Sequence, residues 1–126
     1  MSTLLLISAP PHSRKAAQAI DFAKEKLAKH EKILVFFYGD GAYTANRLQW
    51  QTADVPSITD AWAALAREYS LELPVCVSTA LARGITDSDN AARHGLDGEN
   101  LRTPFRLAGL SELAMQLDMC DDVVQF

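Results

Sequence analysis

Two short runs constrain the fold most. Leu4-Leu-Leu-Ile7 and Ile33-Leu-Val-Phe-Phe-Tyr38 are apolar at every position, not at alternate ones. A strand apolar throughout is covered on both faces, as in parallel sheets flanked by helices. Between the runs, Ala16, Ile20, Ala23 and Leu27 recur at three- and four-residue steps. That spacing puts them on one face of a helix from Ser13 to His30. Strand, helix and strand in this order predict a βαβ unit with a right-handed crossover.

The remaining chain extends the alternation. Gly39-Asp-Gly41 is a turn signal, and a loop carrying Tyr43, Asn46 and Trp50 follows. Ser57-Ile-Thr-Asp60 reads as a capping box opening a second helix, with Ile58, Ala61, Trp62, Leu65 and Tyr69 as its buried face. A third strand is expected from Glu72 to Val77. Pro74 lies inside it and has no N–H to give to a ladder, so its start is the least regular part. Ser78 reads as the N-cap of a short helix, Thr79 to Arg83, closed by Gly84. Asp87 to His94 reads as a further helical turn, and Gly95 to Thr103 as a polar loop. Phe105 to Leu107 is a short fourth strand, Leu110, Leu113, Ala114 and Leu117 mark a third amphipathic helix, and Val123 to Phe126 is a terminal strand. The expected fold is α/β, an open, mainly parallel sheet of about five strands flanked by helices. At 126 residues the chain has no room for two ordinary cores, so residues 1–126 are expected to form one domain.

Charge and composition narrow the function. The net charge is −4, and Arg14-Lys15 is the one adjacent basic pair among scattered Lys and Arg residues. Tight nucleic-acid binding calls for a basic face or stripe, so no direct contact with RNA or DNA is expected. The N-terminal stretch Met1 to Ser8 is short and lacks preceding basic residues. It reads as a buried strand and not as a signal peptide. No run approaches the roughly 20 apolar residues that span a bilayer. A cytoplasmic protein with reduced thiols is expected.

The two cysteines, Cys76 and Cys120, form no CxxC or Cys/His cluster, and His12, His30 and His94 are far apart. No metal site is therefore expected. Cys76 falls at the carboxyl end of the third strand, just before a helix N-terminus, the edge where open α/β sheets carry their sites. Free amides and the helix dipole there favour an anion such as a thiolate, the reactive form of cysteine. Two readings stand side by side: a nucleophilic, sulfur-accepting thiol, or a small buried hydrophobe. Cys120 precedes the last strand. If that strand is parallel, Cys120 lies at the opposite edge, roughly 15 Å away or more. A disulfide needs Cα atoms within about 7 Å, so the two cannot pair. Cys120 reads as core filler. A Cys76 without a resolving thiol suits exchange with another protein.

Other chemistries fit less well. A cysteine-phosphatase loop needs Cys, five residues, then Arg; that position holds Ala82, and Arg83 is one step late. Neither a Walker A sequence nor GxGxxG is present. His12, just past the first strand, is either the base of a Cys–His dyad or a solvated loop histidine. Asp87 and Asp89 read as caps or solvated charges. Tyr43 and Trp50, on the loop after the second strand, either contact a partner or tuck into the core.

Taken in order, several segments resemble one family. Val35-Phe-Phe-Tyr38 with Gly41, Tyr43 and Asn46 is similar to the second strand and loop of DsrE/TusD sulfur-relay proteins. So is Val75-Cys-Val-Ser-Thr-Ala80 leading to Arg83-Gly-Ile85. Gly95-Leu96, Asn100, Phe105 and Gly109-Leu110 follow in order, and the ending Cys120-Asp-Asp-Val-Val-Gln-Phe126 is particularly TusD-like. The resemblance implies a DsrE-like (flavodoxin-like) fold and a persulfide-carrying cysteine at Cys76, with Ser78 and Thr79 as thiolate-stabilising candidates and no cofactor. It implies TusB- and TusC-like partner subunits in a heterohexamer, a TusA-like donor, a TusE-like acceptor, and sulfur destined for the wobble uridine of tRNA. Two alternatives accompany it. One is a DsrE-type carrier in sulfur oxidation, working with DsrF, DsrH and DsrC. The other is a non-catalytic structural subunit. The loop Ser8-Ala-Pro-Pro-His12 and Pro74 depart from the family pattern beside the proposed site.

Overall fold

A computed structural model describes residues 2–126; Met1 lies outside them. Among the described residues the chain runs β1 (Ser2–Ile7), α1 (Arg14–Ala28), β2 (Lys32–Phe37), a 3-10 segment (Gly39–Ala45), α2 (Ile58–Tyr69), β3 (Leu73–Cys76), α3 (Val77–Ala82), α4 (Ser88–His94), β4 (Phe105–Ala108), α5 (Leu110–Met119) and β5 (Asp122–Gln125). The strands form one sheet in the order β4-β3-β2-β1-β5, and every pairing is parallel. The open parallel α/β sheet expected from the sequence is the one observed.

The order explains where the helices lie. From β1 to β2 to β3 the chain steps in one direction, so right-handed crossovers put α1 and α2 on the same face. From β4 it returns past β1 to β5, which sends α5 to the other face. The larger apolar layer lies under α1 and α2 and joins Ile20, Ala23 and Leu27 to Ile7, Val35, Phe37, Val75, Trp62 and Phe105. Phe37 meets the rings of Trp62 and Phe105 edge-on, at 5.5 and 5.2 Å. The smaller layer holds Leu4, Phe36, Cys76 and Ala108, with Leu6, Leu34, Leu113 and Cys120 packed against it.

Local signals explain most boundaries. Ser13 caps α1, its Oγ accepting from Ala16 N at 3.3 Å. Ser57 Oγ accepts from Asp60 N, but the Asp60 carboxylate pairs with Arg102 and does not reach back, so the box is half made. Tyr69, read as part of the buried face of α2, is exposed; Thr59, Ala63 and Ala66 are buried instead. Pro74 sits in an interior strand. β3 pairs with β4 from Leu73↔Phe105 to Cys76↔Ala108, whereas toward β2 its register is the one pair Phe37↔Val75.

α5 is turned relative to expectation. Gln116 is its one fully buried residue and Leu113 is half-buried, while Leu110, Ala114 and Leu117 face outward. The sheet-facing line is therefore Leu113, Gln116 and Cys120. Gln116 Nε2 donates to the carbonyl of Val35 at 3.5 Å.

Candidate functional site at the end of β3

Cys76 is the last residue of β3 and the N-cap of α3. The helix thus starts two residues before the expected position, and Ser78 is its second residue, not its cap. An N-cap residue precedes a set of backbone amides that the helix itself leaves free. Ser78 and Thr79 stand at the second and third helical positions, those whose amides a capping side chain usually meets. Among the described residues the Cys76 side chain makes no such bond. Its carbonyl accepts from Thr79 Oγ1 at 3.3 Å. Ser78 is exposed and Thr79 half-buried.

The thiol is enclosed. Cys76 is 1% exposed and lies in the apolar layer beside its register partner Ala108. A side chain this buried is within reach of another molecule only after local opening of its surroundings.

Polar links centred on Arg83 and Asn100 hold the elements around Cys76. Arg83, the C-cap of α3, donates from Nε to Asp40 Oδ1 at 3.0 Å and from its NH1 group to the Thr79 carbonyl at 3.1 Å. Its guanidinium also lies 5.9 Å from the centre of the Tyr43 ring, within cation–π range. Asn100 donates to the Gly84 carbonyl at 2.9 Å and to Asn46 Oδ1 at 3.2 Å, and accepts from Thr86 N at 2.9 Å. It joins the ends of α3 and the 3-10 segment. That segment is pressed on the sheet through Gly41, where a Cβ would stand 2.1 Å from the Ile7 carbonyl oxygen.

Of the residues singled out in the sequence, Tyr43 comes against α3 through Arg83 and is 40% exposed. Trp50 does not tuck into the core: it is 82% exposed. His12 is exposed on the turn after β1, two strands from β3, so about 10 Å separates the strands that carry it and Cys76. Among the described residues no hydrogen bond joins His12 to Cys76. Arg83, Asp40 and Asn100 were not singled out as site residues. Arg83 and Asp40 are 43 positions apart, and such a pairing leaves no periodic trace. An apolar hollow of about 400 Å³ beside α3, lined by Leu48, Leu81, Gly84, Thr86 and Leu96, was equally hidden.

The carboxyl-edge location agrees with the general rule for open α/β sheets, but the topological switch point does not coincide with it. The strand order reverses between β1 and β5, and there the backbone amides of Ser8 and Ala9 donate to the Phe126 carbonyl. Phe126 occupies that crevice, and Cys76 lies two strands away.

The sequence matches the DsrE/DsrF-like family model across residues 1–126. The chain belongs to the DsrE/DsrF-like family. It is 42% identical to sulfurtransferase TusD of Proteus mirabilis (strain HI4320), covering 97% of this chain and 95% of that one. With sulfurtransferase TusD of Enterobacter sp. (strain 638) it shares 39% identity over the full length of both. The crystal structure of the ychN protein from E. coli superposes with a TM-score of 0.73 over the whole of both chains at 15% identity, which shows the shared DsrE-like fold. In DsrE terms, the cysteine segment Val75-Cys-Val-Ser-Thr-Ala80 is the strand-to-helix junction just described.

Proposed function

We propose that this protein is a sulfurtransferase of the TusD kind, a sulfur carrier whose acceptor is Cys76 in a single relay domain spanning residues 1–126. The observation that carries the reading is the position of Cys76 at the β3–α3 junction, ahead of free helix amides, in a chain about 40% identical to proteins named sulfurtransferase TusD over its whole length. The Cys76 thiolate attacks the outer sulfur of a donor persulfide. The donor S–S bond breaks, the donor leaves as a thiolate, and Cys76 becomes Cys–S–SH. An acceptor thiolate then takes that outer sulfur and returns Cys76 to its thiolate. The exchange is redox-neutral and needs no cofactor. The amides of Ser78 and Thr79 supply donors to the sulfur anion.

The donor is TusA-like and the acceptor TusE-like, and TusB- and TusC-like subunits complete a heterohexamer in the cytoplasm. The route ends in 2-thiolation of the tRNA wobble uridine, without the chain holding tRNA itself. Tyr43, Trp50 and His12 are the partner-contact candidates. Exposure of Tyr43 and Trp50 supports this, as does the neighbouring exposure of Leu48 and Leu96. No described helix is long and apolar enough to cross a membrane. In cells lacking their own TusD, the wild-type chain restores wobble-uridine thiolation and Cys76→Ser does not. Full restoration by Cys76→Ser would refute the carrier role.

One observation favours a second reading, a structural subunit. Cys76 is 1% exposed. A structural role predicts that Cys76 stays inert to alkylation both alone and with partner subunits; a carrier predicts reaction once the complex forms.

A further inference from the structure

A donor protein cannot reach a sulfur that is 1% exposed, so an element beside Cys76 moves during transfer. The strands offer little room: Phe36, Val75 and Leu73 are fully buried within the two apolar layers. α3 differs. It begins at the residue after Cys76 and has six residues, and Ala80 is its one fully buried side chain. Val77, Thr79 and Leu81 are half-buried and the rest of its side chains are exposed, so apolar burial holds this helix only modestly. Polar contacts at its far end add to that hold. Arg83 reaches Asp40 at 3.0 Å, bonds back to the Thr79 carbonyl at 3.1 Å and covers the Tyr43 ring. Thr79 is in turn bonded to the Cys76 carbonyl, so a continuous set of contacts runs from the Arg83 guanidinium to the backbone of Cys76.

We propose that Arg83 is a positioning residue for sulfur transfer: by clasping α3 to the 3-10 segment through Asp40 and Tyr43, it sets how often the β3–α3 junction opens and uncovers Cys76. The role rests on Cys76 as the sulfur-bearing residue, but opening is measurable without any sulfur. Arg83 is partly exposed and its partner Asp40 more so, which suits a latch that an approaching protein can compete for. Arg suits the position because one planar group serves Asp40, the carbonyl and the ring together, which a lysine cannot reproduce.

The test is the alkylation rate of each cysteine in the folded full-length chain, read by peptide mass spectrometry across low urea concentrations. Cys120, half-buried at the far edge of the sheet, is the internal reference. Local opening is insensitive to low urea, whereas global unfolding is not. Arg83→Ala is expected to accelerate Cys76 about tenfold, the scale of one lost charge-assisted hydrogen bond, and to leave Cys120 unchanged. Arg83→Lys should fall between wild type and Arg83→Ala. Asp40→Asn should act in the same direction and disturbs less of the fold. Equal acceleration of both cysteines, or acceleration that rises steeply with low urea, would show a merely structural role and overturn the proposal. An unchanged Cys76 rate in both Arg83→Ala and Asp40→Asn would overturn it as well. None of these results depends on whether Cys76 accepts sulfur, so the carrier reading stands or falls separately.

Discussion

Cys76 and Cys120 stand at opposite ends of one apolar layer beneath α5, Cys76 where β3 leaves the sheet and Cys120 where the chain enters β5. Both are free thiols. Three inter-strand steps separate β3 from β5, about 14 Å at ~4.8 Å each, before any offset along the strands. Oxidation of the folded protein should therefore yield no intramolecular Cys76–Cys120 bond, and peptide mapping under non-reducing conditions checks this. In the native chain Cys120, half-buried, should alkylate faster than Cys76.

The Arg106–Glu112 pair joins β4 to α5 with two short bonds, at 2.8 and 2.6 Å. Chiefly through the Arg106 hydrogen bonds, and against the opposing effect of burial, the Glu112 carboxyl is held below its ordinary value. A carboxylate of lowered pKa contributes stability that is complete above its unfolded-state pKa and disappears as pH falls through the folded-state one. Glu112→Gln should cost about 0.5–1 kcal/mol near pH 7, the scale for a well-aligned, partly exposed pair. Urea unfolding at pH 7 and at progressively lower pH checks it: the gap between wild type and variant should narrow as the pH falls.

Gly41 has no room for a side chain. A methyl group there would stand 2.1 Å from the Ile7 carbonyl oxygen and 2.8 Å from its carbon, both backbone atoms. Gly41→Ala must displace the 3-10 segment from the end of β1, at a cost of roughly 1–3 kcal/mol. Because the same segment carries Asp40 and Tyr43, the variant should also speed alkylation of Cys76. A thermal midpoint equal to wild type would refute the close approach.

The buried Gln116 side chain makes one long bond to Val35 O, and its Oε1 has no partner among the described residues. Leaving a buried acceptor unsatisfied costs about 1–3 kcal/mol. Gln116→Met keeps the length and removes both polar atoms, so it should be neutral or stabilising in a urea melt. A loss above about 1 kcal/mol would mean that the amide is better satisfied than the geometry shows.

The strand cores, the helices and the parallel class of the sheet were legible because burial on both faces leaves unbroken apolar runs such as Leu4–Ile7, and helix burial leaves the Ala16–Ile20–Ala23–Leu27 spacing. The face of α5 was not. Leu110, Leu113, Ala114 and Leu117 form an apolar stripe as regular as any core face, yet the sheet meets Leu113 and Gln116, and a polar residue carries no sign of its burial. The place of Cys76 could be read because it follows from strand direction and the next helix. Its near-complete burial and the Arg83–Asp40 link could not, since both depend on segments far apart in the chain.

The central claim is that Cys76 carries sulfur. Intact-mass spectrometry after incubation with a cysteine desulfurase, cysteine and a persulfide-loaded TusA-like donor tests it most directly. The account predicts a gain of one sulfur atom, removed by reductant and absent from Cys76→Ser. No gain from a donor proven loaded, in the presence of the partner subunits and with Cys76 shown to react with a small alkylating agent, would contradict it.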